Sequence, residues 1–234
     1  MVTRLGHADA HLPETWTGDN LFHSETEVDL DLGTTRARAL IGATAALPGA
    51  LYLYQGEELG LPEVLDLPLE VRTDPIVART GGAQLGRDGC RVPMPWDIDP
   101  ATSFGFSADA TDAPAPWLPQ PEDWGRRSVA AQTDDPASML ATYRSLLSWR
   151  RHLDPAAPLV WAGSSSGVPD ELVVFERGDV LVVLNPSGSM HRLPDGSTAG
   201  RVVIWSSRPD HDDPTQVPAD TCVWYAPADF VTPR

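Results

Sequence analysis

A helix-like run passes directly into a strand-like run, and this constrains the chain more than any other feature. Thr34 to Leu47 is Ala-rich, with Ala37, Leu40, Ile41 and Leu47 on roughly one side, and Pro48-Gly49 stops it. Ala50-Leu-Tyr-Leu-Tyr-Gln55 follows at once, aromatic-rich and bounded by Gly49 and Gly56. Such a short apolar run predicts a buried strand. Helix, tight turn and buried strand make half of an α/β repeat. Residues 1–33 read as loop, interrupted by Gly6, Pro13, Gly18, Asn20 and Gly33.

No strong periodicity runs from Gly56 to Asp135, and 10 of the 23 Pro and 8 of the 19 Gly fall in this stretch. A long irregular segment in a compact domain is usually functional. A second helix is predicted over 136–153. Met139, Leu140, Tyr143, Leu146, Leu147 and Leu153 recur at helical spacing, and Asp154-Pro155 closes it. The remainder is strand-like at 159–161, 171–177, 179–185, 201–205 and 221–225, with a tight hairpin predicted at Gly178-Asp179. These runs predict a small antiparallel β-domain. The boundary falls near 155, giving 1–155 and 156–234.

The formal charge of −16 disfavours a nucleic-acid or anionic-membrane partner, since both need a basic surface. All 17 basic residues are Arg. Cys90 and Cys222 are too few and too far apart for a disulfide framework or a four-Cys zinc site. No run reaches transmembrane length, and Met1-Val-Thr-Arg-Leu-Gly6 has no apolar signal core. A cytoplasmic protein is the expectation.

Two local signals carry chemistry. In Tyr52-Leu-Tyr-Gln-Gly-Glu-Glu-Leu-Gly60 a strand-like run enters Gly-Glu-Glu, and the C-terminal ends of parallel strands form the active-site rim of α/β folds. Glu57 and Glu58 are therefore either catalytic carboxylates or anchors of the following loop. In Gly86-Arg-Asp-Gly-Cys-Arg-Val-Pro-Met-Pro-Trp96 two Arg flank a Gly turn ahead of a rigid segment ending in Trp. Trp stacks on sugar C–H groups and guanidinium binds hydroxyls; the alternative is an Arg–Asp structural clamp. His7, His11 and His23 lack metal-ligand spacing, and Cys90 has no neighbouring His or Cys. No metal or cofactor is implied.

In this order the two signals resemble glycoside hydrolase family 13, the alpha-amylase superfamily, in its alpha-glucosidase and oligo-1,6-glucosidase branch. Pro48 to Gly60 is similar to the family's last barrel strand and its exit. Gly86 to Asp97 is similar to the motif R-D-(N/G)-x-R-T-P-M-x-W, with Val92 in place of Thr. Trp117-Leu-Pro119, Val129-Ala-Ala-Gln132 and the helix over 136–153 continue the match. The fold class this implies is α/β, the C-terminal portion of a (β/α)8 TIM barrel followed by a small antiparallel all-β domain. Residues 34–47 then look like the seventh helix, 50–55 the eighth strand, 56–135 the long active-site loop and 136–153 the eighth helix.

The resemblance implies retaining hydrolysis of terminal α-linked glucose from oligosaccharides. That chemistry needs a nucleophile and an acid/base about 5 Å apart. The family's nucleophile, acid/base and stabiliser all match positions upstream of Val2, so no catalytic residue is assigned here. The missing N-terminal barrel portion becomes an expected partner. Arg91 carries over as the substrate-binding residue, with Arg87 as the alternative; Asp88, Glu57 and Glu58 orient the loop. The other readings are a non-catalytic sugar- or protein-binding module, or part of a family trehalose synthase or sucrose isomerase.

Overall fold

The computed structural model describes residues 2–6, 28–107, 115–162 and 167–230. Pro13, Gly18, Asn20 and all three N-terminal His lie outside these. The chain divides into two compact units, residues 1–34 with 54–140 and residues 35–53 with 141–234. The helices are α1 (Val2–Leu5), α2 (Leu30–Ala46), α3 (Pro75–Arg79), α4 (Val129–Gln132) and α5 (Met139–Arg150). The strands are β1 (Leu159–Trp161), β2 (Val173–Arg177), β3 (Val180–Asn185), β4 (His191–Arg192), β5 (Arg201–Ser206), β6 (Gln216–Val217) and β7 (Thr221–Pro227).

Helix α2 begins four residues before the predicted run, because Asp29 caps it: the Leu32 N–H donates to Asp29 Oδ1 at 2.9 Å. In the second unit the helix buries Ala37, Ala39, Ile41, Ala43, Ala45 and Ala46. A helix end leaves carbonyls without intrahelical partners. Here two arginines serve them. Arg177 Nη1 donates to Ala46 and Leu47 at 3.1 Å, and Arg150 donates to Leu47 at 2.9 Å, to Gly49 at 2.6 Å and to Ala45.

The buried strand expected at 50–55 does not form. Residues 50–54 carry no ladder, and Tyr52 is 89% exposed. A strand needs a neighbour for its N–H and C=O groups, and every strand pair among the described residues comes from residue 159 onward.

The expected antiparallel sheet forms, in the order β1-β2-β3-β7-β5, with β4 and β6 as a separate pair. Arg177 pairs with Val180 around Gly178, whose φ of +57° suits the tight turn. The two-residue strands β4 and β6 escape the sequence reading because they are shorter than any period. One face buries Leu172, Val174, Val183, Val217, Val223 and Tyr225. The other places Trp224 and Trp205 in contact, ring centroids 5.9 Å apart.

The long segment in the first unit has its own core. Val64, Leu67, Val92, Phe104, Leu118 and Trp124 form one buried cluster, and Leu59, Met94 and Leu140 another. Short 3-10 turns at 57–59, 69–71, 88–90, 100–102 and 122–127 link them. Buried Gln132 is fully used, donating to Leu59 and Arg127 carbonyls at 2.9 Å and accepting from the Leu140 N–H at 3.2 Å. No described helix is long and apolar enough to cross a membrane, and no cluster of three or more potential metal ligands occurs among the described residues.

Candidate functional site

Two stretches of the first unit, 72–76 and 86–91, are locked together by carboxylates. Asp74 precedes Pro75 and caps α3, its Oδ1 accepting from the Ile76 N–H at 3.2 Å. Its Oδ2 accepts from the Arg87 N–H at 3.2 Å and lies 3.4 Å from both Arg87 Nε and Arg91 Nη1. Asp88 is 1% exposed, and its Oδ2 accepts from the N–H groups of Thr73 at 2.7 Å and Asp74 at 2.8 Å. Its Oδ1 accepts from Arg91 Nη1 at 3.0 Å. Gly86 makes the close approach possible: at φ +66°, an added Cβ would lie 2.5 Å from Asp74 Cβ. Arg72 braces the stretch from behind, donating to the Leu65, Leu67 and Leu85 carbonyls.

This geometry shifts proton affinities. Burial pushes the Asp88 carboxyl up, but the N–H groups of Asp74 and Thr73 and the Arg91 guanidinium outweigh it and hold it below the ordinary value. The Ile76 N–H is the largest influence on Asp74; with Arg87 it overcomes burial and holds that carboxyl low as well. The hydrogen bond to Asp88 raises Arg91 further. Both carboxylates therefore stay charged and both arginines stay paired.

Beside this cluster lies a cavity of about 380 Å³. Its walls include Arg4, Tyr54, Glu57, Glu63, Arg87 and Trp124, over an apolar floor of Leu61, Val92 and Met94. Burial, and then the neighbouring Cys90, push the Tyr54 hydroxyl above its ordinary value. Cys90 is an exposed free thiol, raised by burial and then by the charge of Glu63.

The structure therefore brings Arg87, Asp88 and Arg91 together. Arg87, 71% exposed at its side chain, stands on the cavity wall; Arg91, 38% exposed, is not among the lining residues. Glu57 and Glu58 share the 3-10 turn Glu57–Leu59, set between left-handed Gly56 and Gly60, and only Glu57 reaches the cavity. Trp96 is exposed and not among the lining residues; Trp124, 2% exposed, is the tryptophan in the cavity wall. Sequence reasoning missed Asp74, Glu63 and Trp124. An Asp followed by Pro at the start of a short apolar run signals an N-cap, and would have found Asp74. Nothing local marks the other two, which arrive by tertiary packing.

Comparison with known proteins gives these residues a context. The model of the alpha amylase catalytic domain matches residues 20–156. A probable alpha-glucosidase of Rhizobium meliloti (strain 1021) is 42% identical over 115 residues, covering 49% of this chain and 19% of that protein. The glucan 1,6-alpha-glucosidase of Streptococcus dysgalactiae subsp. equisimilis is 27% identical over 221 residues, covering 83% of this chain and 37% of that protein. The crystal structure of the alpha-glucosyl transfer enzyme XgtA superimposes with a TM-score of 0.64 at 27% identity, covering 83% of this chain and 36% of that one. The trehalulose synthase MutB from Pseudomonas mesoacidophila MX-45, at 22% identity and a TM-score of 0.63, shares the fold. The chain thus spans about a fifth to just over a third of these proteins. With more than half of its residues matched to the catalytic-domain model, the chain belongs to the alpha-amylase family, glycoside hydrolase family 13.

Proposed function

We propose that this chain is the C-terminal part of a retaining alpha-glucosidase that removes terminal glucose from α-linked oligosaccharides in the cytoplasm. Residues 1–155 form the end of the catalytic barrel and 156–234 its β-domain, with Ala50 to Gln55 as the eighth barrel strand. The apolar, exposed and unpaired run at 50–54 supports that assignment, because it has the composition of a strand without its neighbours. The missing N-terminal barrel portion is the partner that completes it. Both described cysteines are free thiols, as a reducing compartment leaves them.

Arg91 carries the sugar-binding part of this reading. Its Nη1 is held by Asp88 and Asp74, while Nε and Nη2 make no hydrogen bond among the described residues. A guanidinium fixed on one side presents its other N–H groups in a set direction, which suits sugar hydroxyls. Arg87 adds a second guanidinium on the cavity wall. Asp88, Glu57 and Glu58 orient the loop. The nucleophile and acid/base come from the missing portion, so the chain alone turns over no glucoside.

The test is activity of the purified chain on p-nitrophenyl α-glucoside, maltose and isomaltose, alongside maltose binding by calorimetry. Expected are no turnover and weak maltose binding that Arg91→Ala removes. Turnover lost in Glu58→Gln would overturn the reading, since a carboxylate of this chain would then do the chemistry. Glucosyl transfer is the second reading, favoured by the likeness to XgtA. Product analysis of the completed enzyme separates them: free glucose supports hydrolysis, and a lengthened oligosaccharide supports transfer.

A further inference from the structure

Arg87 and Arg91 sit on the same short stretch but do not hold each other; like charges repel, and something must set both. Asp74 is the group they share. One oxygen, Oδ2, faces Arg87 Nε and Arg91 Nη1, each at 3.4 Å, and also accepts from the Arg87 N–H at 3.2 Å. The carboxylate cannot swing away. Its Oδ1 is held by the Ile76 N–H, and its own N–H donates to Asp88 Oδ2 at 2.8 Å. Asp74 is 7% exposed, so its charge is poorly screened by water. Asp88 touches the Arg91 guanidinium but is not paired with that of Arg87.

We propose that Asp74 is a positioning residue that fixes Arg87 and Arg91 as one unit, so that the two guanidiniums meet an oligosaccharide together. This rests on the reading of these arginines as sugar-binding. Arg87 lines the cavity, Arg91 is not among its lining residues, and Asp74 determines their spacing. The close approach of Gly86 completes the device, since a side chain there would push Asp74 out of its place between the two arginines.

The test is ¹⁵N NMR of the arginine side chains in the full chain, followed by titration with maltose. In the native protein the Arg87 Nε and Arg91 Nη1 protons should give separate, slowly exchanging signals. In Asp74→Asn the Arg87 signals should collapse to the averaged position of free arginine and the Arg91 signals, still held by Asp88 Oδ1, should shift and broaden, while Asp88→Asn should affect Arg91 most. Gly86→Ala keeps every charge but displaces Asp74, and should reproduce the Asp74→Asn spectrum. Backbone signals of the β-domain report that each variant is folded. Maltose affinity should fall about tenfold in Asp74→Asn, the scale of a lost charge-assisted contact. Arg87 and Arg91 signals unchanged in both Asp74→Asn and Gly86→Ala would overturn the proposal. So would a loss confined to Arg91. Coupled arginine signals in a native protein that binds no maltose would support the shared clamp and overturn the sugar-binding reading instead, so the two failures are distinguishable.

Discussion

The indole Nε1 of Trp224, in the middle of β7, donates to the carbonyl of Gly42, in α2, at 3.0 Å. Trp224 has no exposed surface, and this bond satisfies a donor that would otherwise be costly to bury. Gly42 also makes room for the second indole: a Cβ placed there would lie 2.5 Å from Trp205 Cζ3. Helix and sheet of the second unit are therefore keyed together by one glycine and two tryptophans.

Gly42→Ala should test that key. Helix propensity alone favours Ala by about 1 kcal/mol. The overlap with Trp205 costs about 1–3 kcal/mol, because a packed indole has little room to move. The net effect should be a lower urea midpoint. An increase would show that the helix shifts freely over the sheet.

Arg177→Ala should destabilise the second unit by about 1–3 kcal/mol, because it leaves the Ala46 carbonyl without its arginine donor at a buried helix end, while Leu47 keeps Arg150. Arg177 is 5% exposed, so water cannot readily replace it. Arg150→Ala should cost less, since its bond to Gly49 lies at an exposed position. Chemical denaturation of the two variants side by side checks the order.

The paired carboxylates of Asp74 and Asp88 predict an acid transition. Both are held below the ordinary value of 3.8. A carboxyl lowered by folding contributes stability that is fully present above the unfolded value and is lost as pH falls through the folded one. The amide signals of Thr73 and Asp74, which donate to Asp88, should therefore move with a midpoint below 3.8. In Asp88→Asn that movement should disappear. Movement centred above 3.8 would mean that the burial of Asp88 outweighs its hydrogen bonds.

Hydrogen exchange should separate the two kinds of extended segment. Amides of Val182, Val183, Val223 and Tyr225 lie in a fully paired sheet with no exposed surface and should exchange slowly. Amides of Tyr52 and Leu53 should exchange orders of magnitude faster, having no ladder. Equal protection would mean that 50–54 finds a strand partner in solution.

Much of the fold is legible in the chain because local rules suffice for it. The two apolar runs on either side of the Gly178-Asp179 turn specify a hairpin without reference to anything distant. The helices announce themselves by periodicity, though the Asp29 cap moves the start of α2. The strand at 50–55 is the instructive difference: composition states what a segment is suited for, whereas a ladder requires a neighbour that composition does not supply. The core of the long loop was hidden for a related reason. Val64, Val92, Phe104 and Trp124 meet across dozens of residues with no period between them.

The candidate site divides in the same way. The sequence by itself determined that Arg87, Asp88 and Arg91 lie within one rigid Gly- and Pro-bounded stretch, because their spacing is local. It also determined the family, because motif order survives in the chain. Only the tertiary structure decided that Asp74, from another stretch, places one carboxylate oxygen against both arginines, and that Arg87 rather than Arg91 reaches the cavity. Such partnerships depend on distances across a folded loop. A carboxylate gains its partners only when packing has removed the water that would otherwise hold it.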